Sequence, residues 1–204
     1  MDVIRSVYSN QSDILRGIIA LHCPQGFDLD ATYGNGQFYR DVAAPRLQFD
    51  IDPQSADVIA ASSDDLPLPS ASVTNFVFDP PFLTYVRAGR EGNGAMVMAK
   101  RFAGYWRYDE LENHYRATIR EARRVLTVKG VLVFKCQDIV HNHRLQCTHG
   151  NVIRWADEYG FNLLDLFILP ASHRMPSPNR AGTQKHARIF HSYFLVLQKR
   201  KDAK

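Results

Sequence analysis

The chain has 204 residues, 45% of them hydrophobic, enough for one domain over residues 1–204 with a full core, and no apolar stretch approaches the ~20 residues that cross a bilayer. The N-terminus lacks the basic-then-apolar pattern of a secretory leader, and three cysteines, Cys23, Cys136 and Cys147, make no disulfide framework, so no membrane role and a reducing cytoplasm are expected. The net charge of +4 hides a division: residues 1–86 carry 4 Lys and Arg against 11 Asp and Glu, and residues 87–204 carry 21 against 10, which suits a cationic ligand on the first half and a polyanion on the second.

Ser12 to Leu21 reads as an opening helix, with Ile14, Leu15, Ile18, Ile19 and Leu21 on its apolar face and Ser12 as N-cap. A short strand candidate follows, running from Gly26 into Asp30-Ala31-Thr32-Tyr33-Gly34-Asn35-Gly36. Its Gly-x-Gly turn lets the backbone approach a ligand closely. Tyr39 stands where the dinucleotide fingerprint has its third glycine, so that fingerprint is excluded. Arg46 to Pro53 reads as a second strand ending in acids, placed where a carboxylate can accept hydrogen bonds from both ribose hydroxyls of a nucleoside cofactor. Asp50 is the first choice for that role and Asp52 the second. Asp57 to Pro67 reads as a third short strand and a polar turn in which Ser62, Ser63 and Asp64 are all candidates for a ligand contact.

Val73 to Phe78 is an apolar run with the character of a buried strand, closed by Asp79-Pro80-Pro81-Phe82. Two prolines cannot continue a sheet, so they end the strand and hold Asp79 and Phe82 at its C-terminal edge, where open α/β sheets place their ligands. The same residue types also make ordinary strand-ending turns. A carboxylate, stiff backbone carbonyls and an aromatic face together suit a flat base carrying an exocyclic amine.

Residues 83–105 are rich in glycine and basic side chains, Arg87 and Arg90 among them, which predicts a flap over a substrate. A helix is expected from Asp109 to Val128, opened by Asp109 with Glu112 and ended by Gly130. Leu111, Tyr115, Ile119, Ala122 and Leu126 form its buried stripe, and Arg116, Arg120, Arg123 and Arg124 a solvated face. Val131 to Asp138 is a fifth strand, with Lys135 and Asp138 near the ligand edge. His141, His143, Cys147 and His149 are zinc-ligand types, but their spacing matches no standard finger. A polar loop touching a nucleic-acid backbone explains them without an ion, so no metal is expected. Strands six and seven are Phe161 to Leu169 and Ser192 to Lys199. The stretch between them, His173 to His191, holds Arg174, Arg180, Lys185 and Arg188 without an acid and is read either as a phosphate-binding loop or as a solvated connection.

Asp79-Pro80-Pro81-Phe82 resembles the Asp-Pro-Pro-Tyr/Phe signature of the S-adenosylmethionine-dependent amino-methyltransferases, which methylate adenine N6, cytosine N4 and some guanine N2 atoms. The glycine turn resembles the first motif of such enzymes, usually Asp-x-Phe-x-Gly-x-Gly, with Tyr33 where many relatives have glycine or a small residue. The resemblance covers roughly residues 1–140, and its features stand in family order. It implies an α/β fold, a Rossmann-like seven-stranded methyltransferase sheet with helices on both faces, and S-adenosylmethionine as cofactor. Carried onto this sequence, cofactor contacts fall to Asp30, Ala31, Thr32, Tyr33, Gly34, Gly36, Asp50, Ile51, Asp52, Ser63 and Asp64, and the segment before the first strand, with Tyr8, Ser9 and Gln11, meets the methionine end. Catalysis falls to Asp79, Pro80, Pro81 and Phe82, and nucleic-acid contacts to Arg87, Arg90, Arg180 and Lys185. Adenine N6 in DNA is the leading target, a base amine in ribosomal or transfer RNA the alternative, and a non-catalytic binding subunit the third reading.

Overall fold

The structure is a computed structural model that describes residues 3–82, 84, 105, 107–171 and 185–201. The opening helix α1 spans Gln11–His22 and is capped by Asn10 rather than Ser12: Asn10 Oδ1 accepts from the Ser12 amide at 2.8 Å. Ser12 instead donates its hydroxyl to Asp41 at 2.9 Å. Of the expected apolar face, Ile14, Leu15 and Ile18 are buried, whereas Leu21 points outward.

Short strands β1 (Leu29–Asp30), β2 (Leu47–Asp50) and β3 (Ile59–Ala60) lead to β4 (Val73–Phe78). Helix α2 (Tyr108–Val125), strand β5 (Leu126–Cys136), the strand pair β6 (Ile139–His141) and β7 (Arg144–Gln146), helix α3 (Thr148–Glu158), and strands β8 (Phe161–Pro170) and β9 (His191–Lys199) complete the order. Seven strands form one sheet in the order β3-β2-β1-β4-β5-β9-β8. The first five are mutually parallel, and β9 is antiparallel to both β5 and β8.

Side chains alternate across the sheet, so neighbouring residues of β4 serve different layers. Val77 joins Ile14, Leu15, Ile18, Val133 and Phe194 on the α1 face. Phe76 and Phe78 join Leu111, Tyr115, Ile119 and Trp155 under α2 and α3 on the other. Helices therefore cover both faces, as expected. The strand order reverses between β1 and β4, which makes a crevice beyond their C-terminal ends.

Four local expectations are corrected. Helix α2 ends at Val125, not Val128, because its last carbonyls, of Arg124 and Val125, accept from the Ala71 and Ser72 amides at 2.9 and 2.8 Å and Leu126 turns extended. Gly130 then lies inside β5, where a Cβ would sit 2.9 Å from the Thr127 carbonyl oxygen. The start of α2 is Arg107 with Glu110 rather than Asp109 with Glu112, since Glu110 accepts from the Arg107 amide at 3.3 Å. The arginine face of α2 is not merely solvated: Arg124 donates to the Leu66 and Leu68 carbonyls and pairs with Glu121, and Arg116 pairs with Glu158 at 2.7 Å. Finally, the polar loop after β5 is a hairpin, β6–β7, whose turn residues Asn142 and His143 both adopt positive φ, 49° and 59°, the backbone of a tight turn matched to strand twist.

Candidate active site

The glycine loop, Asp50 to Asp52, Ser62 to Asp64 and Asp79 to Phe82 follow the C-terminal ends of β1, β2, β3 and β4 in turn. Asp79 follows directly on β4. Its amide donates to Thr32 Oγ1 at 2.9 Å, tying the turn to the loop after β1. On the other side, the Tyr115 hydroxyl donates to the Pro81 carbonyl at 3.1 Å, and the Phe78 ring beneath is wedged edge-on against Phe134 and Tyr115 at 4.9 and 5.9 Å. Pro80 is buried, while Asp79, Pro81 and Phe82 remain partly exposed. The Asp79 carboxylate is thus held on a stiff support and stays accessible.

Lys135 adds what the motif alone does not predict. It sits near the end of β5, next to β4, and its ammonium lies 3.2 Å from Asp79 Oδ2 and 3.1 Å from Gln11 Oε1. The charge lies over the Phe38 and Phe194 rings at 5.1 and 5.4 Å, and the side chain is only 12% exposed. A largely enclosed lysine so placed fixes one oxygen of Asp79 and leaves the other without a partner among the described residues. Its signal in the sequence is one cation interrupting the apolar run Val131 to Cys136.

The loop after β1 is a backbone cradle. Gly34 and Gly36 have φ of 57° and 75°, which a side chain would strain. Nothing lies within 4 Å of where a Gly34 Cβ would be, so that side of the loop is open, whereas at Gly36 a Cβ would strike Tyr33 Oη at 2.8 Å. Asp50, at the end of β2, steadies the loop by accepting from the Gly34 amide at 2.7 Å with one oxygen and from the Asp52 amide at 2.9 Å with the other. Its side chain is partly exposed, and Ile51 and Asp52 stand out into solvent.

Asp30 supports this cradle from behind. Its buried carboxylate accepts from the Tyr39 hydroxyl at 2.6 Å and from the Thr32 amide and hydroxyl at 2.7 and 3.0 Å. Burial raises its pKa to about 7, the hydrogen bonds opposing that shift and the nearby Asp79 charge adding to it. Burial likewise raises Tyr39. Asp30 and Ala31 thus form the wall behind the cradle. Ser63 is also turned inward, with its hydroxyl against His114 Nε2 at 2.8 Å and Thr118 Oγ1 at 3.1 Å. Asp64, bonded to the Ser62 hydroxyl, is the partly exposed member of that turn. His114, whose pKa burial lowers, also meets the Tyr105 hydroxyl. Of the basic residues assigned to nucleic acid, Lys185 is exposed, and Arg87, Arg90 and Arg180 lie outside the described residues.

No protein-family model matches the chain, and no curated protein matches it. Among solved structures, a putative sarcosine dimethylglycine methyltransferase from Galdieria sulphuraria is similar with a TM-score of 0.52 at 13% identity, over 93% of this chain and 85% of its own. The cyclase SpnF is similar with 0.51 at 16% identity, over 93% and 80%. The chain has the Rossmann-like methyltransferase fold. A putative DNA modification methylase from Thermus thermophilus matches with 0.45 at 21% identity over 68% of this chain, which spans about half of that protein's length, 50%. A cyclase and a putative methyltransferase share the fold, so the chemistry has to be read from the site.

Proposed function

We propose that the protein is an S-adenosylmethionine-dependent N-methyltransferase acting on an exocyclic amine of a nucleic-acid base, adenine N6 in DNA. The observation that carries this reading is the Asp79 carboxylate, held by two prolines at the topological switch point, with one oxygen on Lys135 and the other without a partner among the described residues.

The residues present fit the cofactor. Gly34 and Gly36 give it a backbone cradle that is open at Gly34, the Asp50 or Asp52 carboxylate suits ribose hydroxyls, Ile51 an adenine face and Asp64 an adenine amine. Asp30, Ala31, Thr32 and Tyr33 form the floor of the same loop. When bound, S-adenosylmethionine supplies an electrophilic methyl group on a sulfonium.

The chain's own residues make the amine reactive. An exocyclic amine is a weak nucleophile because its lone pair is delocalised into the ring. Accepting its two N–H groups on the Asp79 carboxylate and the Pro80 carbonyl favours a tetrahedral nitrogen with a localised lone pair. Phe82 stacks on the base and Pro81 keeps the turn stiff, so positioning does most of the work. A base in duplex DNA reaches this pocket by flipping out of the stack. Arg87, Arg90, Arg180 and Lys185 are assigned to phosphates, which makes activity on a polymer fall steeply with salt. Three free cysteines agree with a reducing compartment such as the cytoplasm.

The test is nucleoside mass spectrometry after incubation of DNA and RNA with the protein and isotopically labelled S-adenosylmethionine. N6-methyldeoxyadenosine is the expected product, and a labelled ribonucleoside instead assigns the enzyme to RNA. Asp79→Ala should abolish transfer with calorimetric cofactor affinity unchanged, because its role lies in the transition state, whereas Asp50→Ala should weaken cofactor binding. Transfer at a comparable rate in Asp79→Ala would overturn the mechanism.

A further inference from the structure

On the face of β5 opposite Lys135, the hairpin β6–β7 folds the chain back so that Cys147, the residue before α3, and His149, in its first turn, meet Asp138 just after β5. Sequence spacing groups Cys147 and His149 with His141 and His143. The fold separates them: His141 Nδ1 meets Thr84 Oγ1 at 3.2 Å, and His143, in the hairpin turn, accepts through its carbonyl from His186 at 2.9 Å. The third donor comes from another element, a buried carboxylate. One ligand atom from each of Asp138, Cys147 and His149 falls within 4.8 Å of the others.

We infer that Asp138, Cys147 and His149 form a binding site for a zinc-class divalent ion. The argument rests on donor type, spacing and support. A thiolate, a neutral imidazole and a carboxylate together carry two negative charges, balancing the ion, and the thiolate–imidazole pair selects zinc over magnesium or calcium. Zinc bonds of about 2.3 Å to sulfur and about 2.0–2.1 Å to nitrogen, at a tetrahedral angle, put the two ligand atoms about 3.5 Å apart. Cys147 Sγ and His149 Nδ1 are 3.6 Å apart. Asp138 Oδ1 and His149 Nδ1 are 2.8 Å apart, a hydrogen bond. Metal binding displaces the shared proton and opens that separation by about 0.5 Å, to the span expected for two ligands on one tetrahedral ion.

The donors are already oriented. The His149 ring is stacked on Tyr193 at 4.0 Å and 23°. Asp138 also accepts from the His149 amide at 3.1 Å and from the Tyr193 hydroxyl at 3.4 Å, and that hydroxyl meets His191 Nε2 at 2.7 Å. Such outer contacts hold first-sphere ligands in the geometry that a metal needs. Cys147 is exposed, which leaves an entry path and a coordination position open to water. The ion would pin the hairpin and α3 to the end of β5.

The test uses the full chain, stripped with a chelator and titrated with Co(II), whose thiolate complexes absorb in the near ultraviolet. A charge-transfer band that saturates at one equivalent, is absent in Cys147→Ser and is displaced by Zn(II) is the expected result. His149→Gln, which keeps the thiol, and Asp138→Asn should weaken Co(II) affinity at least about tenfold. Absence of the band in the parent, its persistence in Cys147→Ser, or equal affinity in the His149 and Asp138 variants would each overturn the site. None of these readouts depends on methyl transfer.

Discussion

Raising the pH from about 5 to about 8 should remove about 2–3 kcal/mol more stability from the parent protein than from Asp30→Asn. Asp30 is completely buried, and its folded-state pKa lies at about 7 against an ordinary value of 3.8. The folded chain therefore keeps a proton that the unfolded chain has already lost, and stability falls as pH rises from the unfolded value through the folded one. Each pKa unit is about 1.4 kcal/mol, so the whole shift corresponds to about 4 kcal/mol, most of it incurred above about pH 5. Asparagine can still accept from Thr32 through its oxygen, can donate its amide to the Tyr39 hydroxyl oxygen, and has no proton to lose. Urea denaturation of both proteins at the two pH values, under identical salt, gives the difference of differences and cancels the other titrating groups. Equal pH dependence in the two proteins would refute the reasoning, because it would mean that Asp30 is not held protonated behind the glycine loop.

Lys135→Met should lower kcat about 10–100-fold with cofactor affinity unchanged, since a charged hydrogen bond of about 1.5–3 kcal/mol to Asp79 is lost, and Lys135→Arg should restore part of it; steady-state kinetics with calorimetry decides, and an unchanged kcat would make the pair structural. Gly36→Ala should destabilise by about 1–2 kcal/mol, because φ is 75° and the new Cβ meets Tyr33 Oη at 2.8 Å; urea midpoints at one pH check it. Phe134→Ala should cost about 3–5 kcal/mol, since the ring is fully buried against Phe78 and Tyr115. A thermal melt would show that loss as a drop of several degrees.

Periodicity and punctuation in the sequence were enough to expose several of the strands, while their assembly into one seven-stranded sheet was implied by the family resemblance. Apolar runs ending in turn chemistry locate β4, β8 and β9 to within a residue or so, since a buried strand needs an uninterrupted apolar stretch and proline or glycine marks its end. The glycine turn and Asp79-Pro80-Pro81-Phe82 are legible for the same reason: each is a local backbone demand that a few adjacent residues satisfy. What the tertiary structure decided is which side chains meet across elements. Nothing near Lys135 in sequence shows that its charge lies between Gln11 and Asp79, 124 and 56 residues away. Nor does the sequence around Asp30 show that Tyr39 and Thr32 enclose its carboxylate. The end of α2 likewise depends on the Ala71 and Ser72 amides, 53 residues upstream of the two carbonyls they cap. Such long-range pairings leave no periodic trace in the chain, because they depend on how β4 and β5 lie side by side and not on either strand alone.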